Sequence, residues 1–226
     1  AINYDIFRSL LGYVKLPCYI KSVDNCASRG LTRLTKIKDA EKAFYHAWGA
    51  NKYSHEVLIE EEIKGEEYSV DTVLYQGKLY PAGISDRIFL NKDKYAVQVG
   101  SRTPSLLPTD IQGEMYKIMD KSAKILGVTS GAFKGDLVVD ENGRVRIIEL
   151  ACRTSGGFDS QIRKPLSFGT NIIKATMDIA LGLPLDPTDL IPKWVKWSST
   201  MTKFPQEGKI TKIQKPKNIH GLHRVI

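Results

Sequence analysis

Two carboxylates, Asp136 and Glu149, flank a turn within the segment 131–158, GAFKGDLVVDENGRVRIIELACRTSGGF. A basic residue, Arg153, and two glycines, Gly156 and Gly157, follow the second carboxylate at once. Mg²⁺ prefers hard oxygen ligands and is usually held by one or two carboxylates together with phosphate oxygens. An arginine and exposed backbone amides can bind the phosphates themselves. The segment therefore predicts a site for a magnesium-bound polyphosphate.

The turn sequence 140–143 predicts that both carboxylates lie on a β-hairpin, because asparagine and glycine adopt positive φ most easily. With these four residues in the loop, Asp136 and Glu149 become diagonal neighbours on one face, about 7–8 Å apart at the backbone, and one ion can bridge them. A slip of one residue would place them on opposite faces. An ordinary hairpin with a solvated acidic face is the alternative interpretation. The expected pairs are Val139 with Arg144, Asp136 with Ile147, and Lys134 with Glu149.

Strands and helices in uneven alternation must position these residues, and this pattern predicts an α+β fold and not an alternating parallel α/β sheet. Helices are expected over 39–51, 110–126 and 171–181, where cap residues or apolar positions at helical spacing indicate them. A long loop is expected from Asp86 to Pro108; it contains Lys92, Lys94, Arg102 and Ser105. Strands are expected over 16–23, 31–35 and 56–63, and over 68–74 and 78–84 as a second hairpin.

Two further segments have residue types that could contact a nucleotide. Lys21 precedes the loop 24–30, DNCASRG, and a lysine beside small residues can hold phosphates by charge and by backbone amides. The apolar strand ending in 59–67, IEEEIKGEE, could bend around a base, with Glu67 accepting from ribose hydroxyls. An ordinary hairpin loop and a solvated acidic face remain the alternatives for these two segments.

The composition of the 226-residue chain limits the class of protein. It is 42% hydrophobic, has three cysteines without metal-binding spacing, and has no apolar run near the 18 residues of a membrane span. We expect a cytoplasmic protein with no membrane partner. The net charge of +8, much of it after Lys193, also allows a polyanion or nucleic-acid binder, although no nucleic-acid-binding motif is recognisable.

In order and spacing, these segments resemble the ATP-grasp superfamily of carboxylate–amine and carboxylate–thiol ligases, and most of all its carbamoyl-phosphate-synthase-like ATP-binding branch. The likeness covers roughly residues 16–185. The segment 59–71, IEEEIKGEEYSVD, resembles the hinge motif of the family, and 147–157, IIELACRTSGG, resembles its metal-strand motif. The resemblance implies two subdomains with the nucleotide between them, a smaller one over 1–63 and a larger one over 64–226.

The resemblance also implies roles for individual residues, with ATP and Mg²⁺ as cofactors and Mn²⁺ as a substitute. Lys21 and Arg153 are the expected catalytic residues, and Asp136 and Glu149 the expected metal ligands. The residues expected to bind the nucleotide are Lys21, Ser28, Arg29, Gly30, Glu60, Glu61, Ile63 and Glu67. The residues expected to bind the substrate are Arg102, Ser155, Gly156 and Gly157.

The activity implied is ATP-dependent activation of a small-molecule carboxylate as an acyl-phosphate, which an amine or similar nucleophile then attacks; a homodimer is a further expectation. Two departures from the family pattern matter. Ala151 stands where an asparagine usually ligates the second magnesium. Residues 1–12 are too short for the α/β domain that normally precedes this fold, so that domain is expected to be absent. A nucleotide-binding module without full catalytic activity is therefore an alternative.

Overall fold

Two antiparallel β-sheets contain the strands singled out above. The computed structural model describes residues 1–89, 98–202, 208–212 and 221. The smaller sheet has the order β2-β1-β3 and the larger has the order β8-β7-β4-β5-β6-β9. The strands are β1 (Cys18–Ser22), β2 (Thr32–Leu34), β3 (Val57–Glu61), β4 (Gly65–Tyr75), β5 (Lys78–Phe89), β6 (Gln98–Thr103), β7 (Gly131–Asp140), β8 (Val145–Ala151) and β9 (Ser198–Met201).

Five α-helices accompany the sheets in the described part of the chain. They are α1 (Tyr4–Leu11), α2 (Ala40–Ala50), α3 (Thr109–Leu126), α4 (Lys164–Phe168) and α5 (Ile172–Ala180). Short 3₁₀ turns cover Ile37–Asp39 and Pro187–Asp189, and a π-helical turn over Asp159–Arg163 leads directly into α4. None of the helices in these described ranges is long and apolar enough to cross a membrane.

The smaller sheet buries one face against α1 and α2. Cys18 and Ile20 of β1 pack with Phe7, Phe44 and further apolar residues in one core. Because side chains alternate along a strand, Tyr19 and Lys21 lie on the opposite face. The alternation in β1 therefore keeps the lysine out of the core.

The larger sheet is covered on both faces. Val70 of β4 and Leu137 of β7 pack with Met115 and Met119 of α3. On the other face, Val73 packs with Ile172 and Ala175 of α5. Asp136 is next to Leu137 in β7, so it shares the α5 face and not the α3 face.

The predicted register of the carboxylate hairpin is wrong by one residue near the turn. The structure pairs Val139 with Val145 and Leu137 with Ile147, because Arg144 belongs to the turn, where its carbonyl accepts from Asp140 N. A bulge between Leu137 and Asp136 then shifts the register once more, so that Asp136 pairs directly with Glu149. The two carboxylates still share one face, as expected, and are closer than the predicted diagonal arrangement.

Two other expectations need correction. The loop expected from Asp86 to Pro108 is largely strand, because β5 continues to Phe89 and β6 pairs with it from Gln98; Lys92 and Lys94 lie outside the described residues. The sequence reasoning did not predict α1, although Asn3 caps it by accepting from Ile6 N.

The predicted α+β class with antiparallel sheets is confirmed. The connection 62–64 joins β3 of the smaller sheet to β4 of the larger one. The division of the chain into subdomains at residue 63 stays a prediction.

Candidate functional site

Asp136 and Glu149 are directly paired residues on neighbouring strands, but their surroundings differ. Asp136 is 7% exposed, and its Oδ2 lies 2.6 Å from Lys134 Nζ and 3.3 Å from a nitrogen of Arg87. The side chain of Glu149 is 59% exposed and lies 3.9 Å from Arg153. Directly opposed residues on one face have Cβ atoms about 4.5–5.5 Å apart, so both carboxylates can reach a shared ligand.

The unsatisfied second oxygen of Asp136 is the feature of the site that most favours a bound cation. Within the described residues, Asp136 Oδ1 is a buried carboxylate oxygen that has no hydrogen-bond partner. A buried unsatisfied polar atom is costly and calls for an explanation, such as an ion. Within the described ranges, no group of three or more His, Cys, Asp or Glu residues is arranged so that it could hold a metal ion by itself. The two carboxylates therefore fit Mg²⁺ as a cation that takes its other ligands from phosphates and water.

Arg87 connects two of the predicted site residues. Its Nη1 lies 2.9 Å from Glu67 Oε2 and 3.3 Å from Asp136 Oδ2, and its guanidinium lies 5.0 Å from the ring centroid of Phe89. Arg87 falls within the long loop expected from Asp86 to Pro108, whereas the structure places it in β5. Because its guanidinium lies between Glu67, the predicted ribose acceptor, and Asp136, the predicted metal ligand, Arg87 belongs to the same site.

The open face of the smaller sheet contains Lys21 and its partner. Lys21 forms an ion pair with Glu60, and the two side chains are 25% and 32% exposed. Beside them, Arg33 binds Glu62 through two nitrogens, at 2.5 and 2.9 Å. The hydrogen bonds from Arg33 lower the pKa of Glu62 below its ordinary value. This face therefore presents paired charges on the strand that leads into the predicted hinge.

The predicted phosphate loop has a fixed shape at both of its ends. The carboxylate of Asp24 accepts from the backbone nitrogens of residues 52–54, and these bonds lower its pKa. Ser22 donates to the carbonyl of Arg29. Gly30 has φ +73°, and a Cβ there would lie 2.5 Å from the Cβ of Ala50. Only glycine combines that conformation with this close approach. Ser28, also with positive φ, completes the turn.

The predicted hinge residues extend from the end of β3 to the beginning of β4. Glu60 faces Lys21, whereas the side chains of Glu61 and Ile63 are exposed. Gly65 has φ +156°, and a Cβ there would lie 2.0 Å from the carbonyl oxygen of Val139. Glycine is thus required where the hinge joins the larger sheet.

The segment after β8 brings one of its predicted residues, Arg153, to the carboxylates and holds another away. Arg153 is exposed and lies near Glu149, and a Cβ built at Gly156 or Gly157 meets no atom within 4 Å. Ser155, in contrast, is buried, and its hydroxyl bonds Asp71 at 2.9 Å. The hydroxyl of Ser155 is therefore engaged inside the protein, and its expected contact with a substrate lacks support from this geometry.

Arg102 is not brought to the carboxylates. It pairs in register with Asp86, which pairs with Tyr68, and Tyr68 packs in the α3 core. Its guanidinium lies 2.5 Å from Asp86 Oδ2. Arg102 therefore lies on the face opposite to Asp136, and its substrate role stays a prediction that its position does not favour.

Comparisons with known proteins concern the family and the fold of this chain. The family described as ATP-grasp domain matches residues 14–161. D-alanine--D-alanine ligase from Glaesserella parasuis is 30% identical over 175 residues, which are 75% of this chain and 54% of that protein. Carnosine synthase 1 from Gallus gallus is 28% identical over 132 residues, 58% of this chain and 14% of that protein.

Solved structures share the fold. The L-amino acid ligase from Bacillus licheniformis superposes with a TM-score of 0.68 at 20% identity, over 82% of this chain and 44% of that one. The biotin carboxylase domain of 2-oxoglutarate carboxylase from Hydrogenobacter thermophilus, solved with MgADP, superposes with a TM-score of 0.67 at 21% identity, over 85% of this chain and 42% of that one.

The chain belongs to the ATP-grasp family, and the predicted family and ATP-grasp fold are confirmed. Its relatives include carboxylate–amine ligases. The chain spans about half the length of the D-alanine--D-alanine ligase that it matches.

Proposed function

We propose that this chain is an ATP- and Mg²⁺-dependent ligase that activates a small-molecule carboxylate for attack by an amine. The observation that carries the proposal is the direct pairing of Asp136 with Glu149, with an unsatisfied Asp136 Oδ1 and with Arg153 at the exit of the strand. Asp136 and Glu149 would hold a divalent cation there, and it would supply positive charge to offset the negative charge of the phosphates of ATP.

The nucleotide would contact both sheets. Lys21 would exchange its pairing with Glu60 for the phosphates, and the loop 28–30 would cover them. The backbone around Glu60, Glu61 and Ile63 would flank the adenine. Glu67 would accept from the ribose. These roles follow the family pattern, and the open, charged face around Lys21 supports them.

The reaction would take place in two displacements. A carboxylate oxygen of the substrate attacks the γ-phosphorus, the bond to the β-phosphate oxygen breaks, and ADP leaves. The amine then attacks the acyl carbon, phosphate leaves with the bonding electrons, and the amine loses a proton. Arg153 and Lys21 would stabilise the charge that develops on the transferred phosphoryl group.

Amino acids are the substrate class that we propose. The names of two relatives, D-alanine--D-alanine ligase and L-amino acid ligase, point to amino acids as the molecules on which those proteins act. Of the predicted substrate residues Ser155, Gly156 and Gly157, only the two glycines would bind the substrate, through their backbone atoms. The hydroxyl of Ser155 is already bonded to Asp71.

The proposal is tested by ADP release from MgATP in the presence of pooled D- and L-amino acids. We expect release that depends on the pool and falls by about 10²–10³ in Glu149→Gln, the loss typical of removing one electrostatic contact to the transition state. Glu141→Gln, at the exposed turn of the same hairpin, is the matched control and should retain the rate. Equal rates in Glu149→Gln and the parent chain would contradict the metal assignment.

A module that binds the nucleotide without catalysis is the second candidate, because Ala151 provides no oxygen ligand two residues after Glu149. This candidate is favoured if the chain binds MgATP yet releases no ADP with any amino acid in the pool.

A further inference from the structure

A buried carboxylate, Asp71 of β4, lies next to the segment that contains Arg153 and the two glycines. Asp71 is 2% exposed. Its Oδ1 accepts from both the backbone N–H and the hydroxyl of Ser155, at 3.1 and 2.9 Å. The Ser155 hydroxyl also lies 3.0 Å from that of Ser69. One carboxylate oxygen thus holds the main chain and the side chain of Ser155 together.

The other oxygen of Asp71 is held from the following helical segment. Asp71 Oδ2 binds Lys164 Nζ, and it accepts from the hydroxyl of Ser160 at 3.3 Å. Lys164 is fully buried and lies 3.5 Å from Asp159, which in turn binds Arg163 at 2.8 Å. Two buried acids and two buried bases therefore form one compact network that links β4 to the turn 159–163.

This network lies next to the segment 153–157, both in space and directly after it in the chain. Strand β8, which contains Glu149, ends before it at Ala151, the π-helical turn Asp159–Arg163 follows it, and Asp71 binds it from the side. Within the part of the chain that the structure describes, the side chain of Arg153 lies 3.9 Å from Glu149 and donates to the carbonyl of its neighbour Thr154 at 3.1 Å. The position of Arg153 therefore depends on where the backbone at Ser155 is fixed.

We propose that Asp71 is a positioning residue, which acts through Ser155 to hold Arg153 beside Glu149 and to orient the backbone of Gly156 and Gly157. The inference rests on the proposed function, because it assigns the network a role in presenting the predicted catalytic arginine. A carboxylate suits this role because it only accepts hydrogen bonds, and Ser155 provides two hydrogen-bond donors to it and Lys164 a third. Buried hydrogen bonds to a charged group are stronger than neutral ones.

The local part of the inference can be measured without any reaction. Cys152 is exposed and adjacent to Arg153, Cys26 is the other exposed cysteine, and Cys18 is buried. A nitroxide spin label on Cys152 in a Cys26→Ser background therefore reports the mobility of the segment. Ser155→Ala removes one donor and should raise the mobility of the label, and Asp71→Asn should raise it further. Ser155→Thr retains the hydroxyl and should restore the immobile spectrum.

The matched control is Ser105→Ala. Ser105 is also buried and also donates to an aspartate of the larger sheet, Asp86 at 2.5 Å, but this aspartate lies on the opposite face from Asp136. Its loss should leave the label on Cys152 unchanged. An unchanged spectrum in Ser155→Ala would overturn the inference; this variant also decides the question if Asp71→Asn fails to fold.

The catalytic part is read from unlabelled protein. In ADP release with MgATP and the amino-acid pool, Ser155→Ala should lower kcat by about tenfold or more, as for a misplaced reacting group, while the KM for ATP stays the same. If Ser155→Ala instead raises the KM for ATP and leaves kcat unchanged, the inference is overturned. If the parent chain releases no ADP, the proposed function fails, and the spin-label spectra alone decide whether Asp71 fixes the segment.

Discussion

Asp136 lies directly across the hairpin from Glu149, because Ile148 is an extra residue in β8 that shifts the register between Leu137 and Asp136. Without this bulge, the strand alternation would carry Glu149 to the other face. The bulge thus decides whether the two carboxylates can share a ligand. β-Bulges are frequent next to active sites, where they redirect a side chain.

Arg87 should couple nucleotide binding to metal binding, because it neutralises Glu67 and Asp136 together. In Arg87→Gln, we expect free Mg²⁺ to bind more tightly, since Asp136 loses a competing cation. ATP without metal should bind about tenfold or more weakly, because Glu67, the predicted ribose acceptor, loses its charge-assisted hydrogen bond from Arg87. Separate calorimetric titrations with Mg²⁺ and with ATP measure both. Arg144→Gln, in the exposed hairpin turn, is the control; if both Arg87→Gln affinities match the parent, the coupling does not exist.

Lys21 should contribute to ATP affinity through charge. Lys21→Gln should weaken binding of an ATP analogue by about tenfold, a loss partly set by the unpaired charge that remains on Glu60. Fluorescence titration with a labelled analogue measures the change. Lys42→Gln removes one positive charge from an exposed position of α2 and controls for net charge. Equal affinities for the Lys21 and Lys42 variants would show that Lys21 does not contact the phosphates.

Ala151 offers a gain-of-function test. It lies two residues after Glu149 in β8, so both side chains point to the same face. Ala151→Asn adds an amide oxygen there, and we expect Mg²⁺ to bind several-fold more tightly in the presence of an ATP analogue. Cys152→Asn, the same residue at the adjacent exposed position, should have no such effect. An unchanged Mg²⁺ affinity in Ala151→Asn would place the metal elsewhere.

The Arg33–Glu62 pair should make stability depend on pH. Arg33 lowers the pKa of Glu62 from its ordinary value of 4.5 in the folded state. The stabilisation is therefore fully present above about pH 4.5 and is lost as the pH falls through the lower, folded-state pKa. Thermal unfolding between pH 6 and pH 3 should show a larger loss for the parent than for Glu62→Gln. Parallel curves would mean that the pair contributes nothing; Glu56→Gln, at an exposed glutamate, is the control.

Local patterns predicted the elements with strong periodicity. The apolar spacing predicted a helix over 110–126, and α3 covers Thr109–Leu126. The second hairpin turns at Gln76 and Gly77, which both have positive φ as that turn requires. The pairing of β6 with β5 was not predicted, because the sequence QVGSRT has no apolar alternation to indicate a strand.

The candidate site was predictable in its carboxylates but not in their partners. Asp136 and Glu149 are 13 residues apart across one turn, so the sequence predicted that they lie on neighbouring strands of one hairpin. Arg87 reaches Asp136 only through the pairing of β5, β4 and β7, and Asp71 meets Lys164 from 93 residues away. No short pattern encodes such contacts. The bulge at Ile148 was equally hidden, since a period of two does not reveal an inserted residue.

The most direct test of the central claim is calorimetric titration of this chain with a non-hydrolysable ATP analogue, with and without Mg²⁺. We expect binding that Mg²⁺ strengthens in the parent chain and in Glu141→Gln. Asp136→Asn and Glu149→Gln, although folded, should lose this dependence on Mg²⁺. Binding that Mg²⁺ strengthens equally in both of these variants would contradict the assignment of the metal site to Asp136 and Glu149.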